Sequence, residues 1–322
     1  TLTPLGVFSY TFLILDKDKR FLKTTFSTYI SPKLIDQMVD GKTVPKLGGD
    51  EDIHTAVFTD IQEFSRFSEQ LTPTELVELL NDYLTEMTNI LLDNQGTLDK
   101  YIGDAIVAFY GAPVPVEDHE YKACLTALLM QKKLYELRKK WKTESKYWPN
   151  IVYNMQMRIG IHTGKMVTGN MGSKHRMNYT MMGDTVNLAA RLESSAKQYG
   201  IYSQISEETY LSIQDRISVR ELDHVRVFGK ENPVKTYELI SLRGQEPEWY
   251  KQINEPFAKG IHHFQKGEFE KAKQLFELTV ENENMFDGRN INPSLLYVER
   301  CNMLIKKPPK EWDGIWSLTS KK

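Results

Sequence analysis

The chain has 322 residues, with 41 Lys plus Arg against 43 Asp plus Glu, a net charge of -2, and 40% hydrophobic residues. That much apolar surface supports a sizeable core and excludes a disordered tail, a collagen-like repeat and a small disulfide scaffold. The near-zero charge gives no basic face for a nucleic acid polymer, and Cys124 and Cys301, far apart and without metal-ligand spacing, read as reduced thiols of a cytosolic compartment.

No stretch reaches the roughly 18–20 apolar residues of a membrane span. The uncharged segment Leu5 to Leu15 comes nearest, and it meets Asp16-Lys17-Asp18-Lys19-Arg20, a flank suited to a membrane–water boundary. It reads as the tail of a transmembrane helix, with an ordinary buried or interfacial helix as the alternative. Phe21 to Val39 reads as helical until Pro32, with Phe21, Thr25 and Tyr29 on one face, and Asp40 to Asp50 as a polar linker. The Gly48-Gly49-Asp50-Glu51 run belongs to that linker: it precedes the first core strand and continues into Asp52.

His54 to Thr59 then reads as a short apolar strand ending at Asp60. Thr72-Pro73-Thr74-Glu75 starts a helix, with Thr72 as N-cap and Glu75 closing a capping box, and apolar residues at helical spacing carry it to Gly96. Two strands follow, Thr97 to Ile102 and Ala105 to Tyr110, joined by a tight turn at Gly103-Asp104. A second helix runs from Asp118 to about Trp141. Met155 to His162 and Lys165 to Gly169 are predicted as a strand pair turning at Thr163-Gly164, and a helix from Asp184 to Tyr199 stops at Gly200. Strands at Ile201 to Ile205, Ile217 to Phe228 and Lys235 to Ile240 complete an α+β pattern: a mostly antiparallel sheet with helices on one face. Beyond Trp249 the pattern is helical, at Phe257 to Gln265, Phe269 to Val280 and Ser294 to Leu304. Ala272 and Phe276 there sit at tetratricopeptide spacing.

Three segments carry chemistry: VFTDIQEFSRFS around Asp60, LDKYIGDAIVAFYG around Asp104, and NYTMMGDTVNLAARLES around Asn187 and Arg191. Singly, each is explained as a helix cap, a turn aspartate and a solvated surface pair. Together, neighbouring strands bring Asp60 near Asp104, and two carboxylates so placed suit two Mg²⁺ ions on a triphosphate, since hard cations take oxygen ligands. Backbone N–H groups of Ile61 to Phe64 open the next turn and helix, where phosphate oxygens bind. His119, His162, His175, His224, His262 and His263 show no ligand spacing and read as structural.

These three segments, in this order, resemble the class III nucleotidyl cyclase catalytic domain over about Phe26 to Ile240. The resemblance implies a ferredoxin-like core that makes 3′,5′-cyclic nucleotides in head-to-tail dimers, with active sites between subunits. Asp60 and Asp104 match its metal-binding aspartates, with the Ile61 carbonyl as a further ligand for two Mg²⁺ or Mn²⁺ ions. Lys100 matches the lysine that contacts adenine, and Thr180 stands where many members have an aspartate reading the adenine amino group. Asn187 matches the asparagine that orients the ribose, and Arg191 the arginine that stabilises the transferring phosphoryl group. Lys100, Thr180, Asn187 and Arg191 of one subunit would face the aspartates of the other.

Two positions depart from the pattern. A threonine hydroxyl at Thr180 both donates and accepts and so discriminates less firmly than a carboxylate. At Phe228-Gly229-Lys230 the family often has lysine before glycine, which leaves Lys230 as the phosphate-binding candidate, alongside Phe64 at the earlier turn. Lys100 favours ATP, because guanylate cyclases typically carry an acidic residue there. The expected organisation is residues 1–48 as membrane tail, linker helix and lead-in, 49–242 as catalytic domain and 243–322 as helical extension. The expected function is an adenylate cyclase, homodimeric, with its catalytic region in the cytoplasm, tethered to the inner membrane below a sensor domain. A catalytically inactive nucleotide-binding module is the rival, and a mainly scaffolding role for the C-terminal helices is a third reading.

Overall fold

The computed structural model describes residues 46–144, 147–226, 233–283 and 291–317. Leu5 to Leu15, the Phe21 to Val39 helix and Lys230 lie outside the described residues. Among those described, no helix is long and apolar enough to cross a membrane.

Strand β1 spans Gly48–Ile61, exposed over its first six residues and largely buried thereafter. The Gly-Gly-Asp-Glu run is therefore strand, not linker. Its backbone pairs with β4, Met157–Ser173, in unbroken register from Gly48 opposite Asn170 to Ile61 opposite Met157. Glycine on both sides permits that approach: a Cβ on Gly169 would stand 2.3 Å from the Gly48 carbonyl oxygen.

The expected turn at Thr163-Gly164 is also absent, because β4 runs straight through it, with Thr163 opposite Thr55 and Gly164 opposite His54. Gly164 marks a close approach instead, since a Cβ there would stand 2.9 Å from the Thr185 hydroxyl oxygen.

After β1 come α1 (Phe64–Gln70) and α2 (Pro73–Asp93). The Thr72 capping box forms as predicted, with the Thr72 N–H donating to Glu75 Oε2 at 2.9 Å. Leu79, Tyr83, Met87 and Leu91 give α2 its buried stripe. β2 (Thr97–Ile102) and β3 (Ala105–Tyr110) form the expected hairpin, followed by α3 (His119–Thr143), α4 (Asn150–Tyr153) and β4. β5 (Arg176–Met182) returns antiparallel on β4, a strand not among those expected although Arg176 to Met181 alternate polar and apolar. Helix α5 (Asp184–Tyr199) ends at Gly200, whose φ of +65° suits a left-handed cap. β6 (Ser203–Ser206), α6 (Glu207–Ile213), β7 (Ile217–Arg226) and β8 (Val234–Leu242) complete the core.

Among the described residues, nine strands form one sheet in the order β2-β3-β1-β4-β6-β8-β7-β9, with β5 paired to β4 and β9 formed by Trp316–Ser317. Pairing is antiparallel except for β4 with β6 and β7 with β9, so the sheet is mixed.

Helices cover both faces, contrary to the one-sided arrangement expected. Val57, Ile106, Ala108, Ile159 and Ile161 bury into a cluster with α2 and α3, while the alternating Ala56, Val107, Phe109 and Met166 meet Ala189 of α5 on the other side. Gly160 lets α5 sit close: a Cβ there would lie 2.2 Å from the Glu193 backbone nitrogen.

The C-terminal helices are α7 (Glu248–Gln265), α8 (Phe269–Glu283) and α9 (Pro293–Lys306). Helix α7 starts well before the predicted Phe257 and carries Pro256 inside it, because Tyr250 and Ile253 of its early turns are buried.

Candidate active site

Asp60 stands at the end of β1, directly across from Arg158 on β4. Arg158 donates from Nη2 to Asp60 Oδ2 at 2.7 Å and from Nε to Glu193 Oε1 of α5 at 2.8 Å. Asp104 follows Gly103, whose φ of +64° makes the β2–β3 turn, and Asp104 Oδ2 accepts the Ile61 backbone N–H at 2.8 Å. The carboxyl groups of Asp60 and Asp104 are close enough to influence each other's ionisation. Two elements adjacent in the sheet, β1 and the turn before β3, thus bring the pair together.

Burial pushes both carboxyl groups above the usual range. For Asp60 the Arg158 guanidinium partly offsets it. Asp104 rises to about 6, the Ile61 N–H bond pulling down and the Asp60 charge pushing up further. Tyr83, fully buried beneath, is held neutral by burial and by the same two negative charges. Two neighbouring carboxylates, one of them held by Arg158, form a donor set that fits a hard divalent cation. Among the described residues no group of three or more His, Cys, Asp or Glu is placed to hold a metal, so a cation on this pair would need further ligands from backbone, water or substrate oxygens.

The loop after Asp60 differs from expectation. The Ile61 N–H is taken by Asp104 and the Gln62 N–H donates to the Gln156 carbonyl at 2.8 Å, so neither is free for phosphate. Glu63 turns the chain at φ +59°, and Phe64 opens α1 with its ring half-buried against the main core.

Lys100 of β2 and Thr180 of β5, 80 positions apart, are brought together: Lys100 Nζ donates to Thr180 Oγ1 at 3.3 Å. Beside them lies Asp99, which stands in the LDKYIGDAIVAFYG segment without a role assigned to it there. Thr180 Oγ1 donates to Asp99 Oδ2 at 2.5 Å, and Lys100 Nζ stands 3.3 Å from Asp99 Oδ1.

On α5, Asn187 is exposed and Arg191 half-buried. Arg191 Nη1 is buried without a hydrogen-bond partner among the described residues, a cationic N–H left for an acceptor from elsewhere. Among the described residues, the hydrogen bonds and ion pairs of Asp60 and Asp104 do not run to Lys100, Thr180, Asn187 or Arg191.

Arg158, Glu193 and Asp99 escape the sequence for a common reason. Their partners come from cross-strand pairing, the seat of α5 on β4 and a bulge, and the one local sign is an arginine opening the apolar run Arg158 to Ile161. The β2–β3 register shifts between Leu98 and Lys100, so Asp99 is the bulged residue. That turns Asp99 and Lys100 toward the same neighbour, where regular alternation would separate them.

The sequence matches the model of the family described as adenylate and guanylate cyclase catalytic domain over residues 50–241. It is 30% identical over 218 residues to adenylate cyclase 1 of Rhizobium meliloti (strain 1021), covering 68% of this chain and 32% of that protein. With an adenylate cyclase of Anabaena cylindrica it shares 33% identity over 231 residues, covering 70% of this chain and 43% of the relative. Both curated relatives are thus much longer than the part matched. Among solved structures, the adenylyl cyclase CyaB from P. aeruginosa is similar with a TM-score of 0.55 and 34% identity, covering 62% of this chain and all of that one. The guanylyl cyclase Cya2 is similar with a TM-score of 0.54 and 30% identity, covering 62% and 97%.

Proposed function

The chain belongs to the class III adenylate and guanylate cyclase catalytic domain family, and from that membership we propose that it converts ATP to 3′,5′-cyclic AMP and pyrophosphate as a homodimer with shared sites. The observation that carries this reading is the convergence of two carboxylates, the half-buried Asp60 and the buried Asp104, from β1 and the β2–β3 turn.

Asp60 and Asp104, with the Ile61 carbonyl, hold two Mg²⁺ or Mn²⁺ ions. When bound, these supply neutralising charge to the phosphates and lower the pKa of the ribose 3′-hydroxyl. Arg158 fixes the Asp60 carboxylate, and Gly103 lets the turn present Asp104. From the other subunit, Asn187 orients the ribose and Arg191 places fixed positive charge where negative charge grows at the phosphorus. The buried, unpartnered Nη1 of Arg191 supports that role. Lys100 and Thr180 contact adenine. The N–H of Phe64 and the side chain of Lys230 contact phosphates. No side-chain base is assigned, since the 3′-hydroxyl needs none once its pKa is lowered.

Location and organisation are also part of the proposal. The catalytic region, residues 49–242, works in the cytoplasm, tethered through the N-terminal apolar segment to the inner membrane and an upstream sensor. The extension, residues 243–322, is a tetratricopeptide-like unit, a reading supported by Ala272 and Phe276 buried in one cluster with Phe257 and Tyr297. Incubating the purified chain with ATP and Mg²⁺ or Mn²⁺ tests the reaction. Cyclic AMP and pyrophosphate in equal amounts are expected. Bound nucleotide with no product under either metal would favour the inactive module.

A further inference from the structure

We propose that Asp99 sets the purine preference of the site by fixing the hydrogen-bond polarity of Thr180. This rests on the reading of Lys100 and Thr180 as the base contacts. A threonine hydroxyl offers one donor and two acceptor positions, and an ionised carboxylate only accepts. At 2.5 Å from Asp99 Oδ2, the Thr180 proton is therefore committed to Asp99. One Thr180 lone pair takes the Lys100 ammonium at 3.3 Å, and the other is left as an acceptor. Lys100, which can only donate, keeps further N–H groups beside it.

The pair thus presents an acceptor next to a donor. Adenine carries a donating amino group at C6 and an accepting N1, whereas guanine carries an accepting O6 and a donating N1–H. A base held in the register that sets its C6 substituent on Thr180 and its N1 on Lys100 is accepted as adenine and mismatched at both positions as guanine. The ambiguity of a lone threonine is removed by its neighbour. Asp99 is well placed for this: its carboxylate is 2% exposed, shielded from competing water, and the bulge between Leu98 and Lys100 turns it to the same neighbour as Lys100. Asp99 touches no base itself and is a positioning residue acting through Thr180.

The test is the ratio of kcat/KM for ATP to that for GTP, measured on one preparation of the full chain so that partial misfolding cancels. Asp99→Leu, which frees the Thr180 proton, is expected to lower the ratio about tenfold or more, as expected when a site loses the match that rejects the wrong hydrogen-bonding partner. Asp99→Asn, which keeps one acceptor oxygen, falls between. Thr180→Val lowers the ratio likewise, and adding Asp99→Leu to it changes the ratio no further. Thr180→Asp combined with Asp99→Asn restores the preference, because a carboxylate acceptor at position 180 needs no polariser. A ratio unchanged in Asp99→Leu, or the same fall in Asp99→Leu with and without the Thr180 hydroxyl, overturns the proposal. If the chain makes no cyclic nucleotide, the cyclase reading fails by itself. Competition of ATP and GTP for a bound fluorescent nucleotide then reads the same preference: a fall in Asp99→Leu supports the role of Asp99, and an unchanged preference overturns it.

Discussion

Asp104 has a buried carboxyl whose pKa is pushed up to about 6. Between the ordinary carboxylate value and that raised one, the folded chain without a cation binds more protons than the unfolded chain. The contribution of this group to stability is therefore present at low pH and lost as pH rises through about 6. A divalent cation reverses the preference by favouring the ionised pair. Mg²⁺ or Mn²⁺ is thus expected to raise the melting temperature well above pH 6 and to lose that effect as pH falls below it. Asp104→Asn should flatten the dependence, and a cation-induced shift equal at pH 5 and pH 8 would contradict the assignment. At this scale the sequence is informative where a candidate side chain stands in its own motif, as Asp60, Asp104 and Lys100 do. It is silent where the role needs a partner from another strand. Arg158 becomes the clamp on Asp60 only because β4 pairs with β1 in one register, and no local pattern encodes that register.

Helix α5 illustrates how an element carries chemistry. Asn187 and Arg191 are placed by the seat of α5 on β4, and Gly160 sets the depth of that seat. Gly160→Ala would drive a methyl group into the Ala189 carbonyl oxygen and the Glu193 nitrogen, 2.3 and 2.2 Å from the new carbon. Overpacking of this kind costs about 1–3 kcal/mol. Thermal unfolding should show the loss, and kcat should fall more than KM rises, because the proposed mechanism puts both displaced residues at the reacting end of the nucleotide. Unchanged kinetics in a folded variant would separate α5 from the reaction. The helices and the β2–β3 hairpin are legible in the sequence because capping residues, a Gly-Asp turn and apolar periodicity are local signals. The long β4 is not, because glycine in a strand signals a turn or a close approach alike, and only the packing of Thr185 against Gly164 distinguishes them. β5 carries a local signal as well, the polar–apolar alternation of Arg176 to Met181, which the expected strands left out.

On the scale of the whole molecule, the helical extension is joined to the core through buried charge. Arg300 of α9 donates to Asp223 Oδ2 of β7 at 2.5 Å, and the same oxygen accepts the Tyr199 hydroxyl at 2.7 Å from the last residue of α5. Tyr297 donates to the Leu222 carbonyl at 2.8 Å, and Arg220 is paired with Glu238 of β8 and Glu283 of α8. Removing one member of a fully buried pair strands the other, at about 3–5 kcal/mol. Arg300→Ala should therefore lower stability by that amount in denaturant unfolding, with one transition for core and extension together. A second, separate transition, or a loss near zero, would show that the extension folds apart from the core. The proposed site is shared between two chains, the carboxylate pair of one facing Lys100, Thr180, Asn187 and Arg191 of the other. Mixing Asp60→Ala chains with Asn187→Ala chains tests this most directly. Each variant alone is expected to make almost no cyclic AMP, and the mixture to recover activity through heterodimers holding one intact site. A mixture as inactive as its components, with heterodimer formation verified, would contradict the shared site.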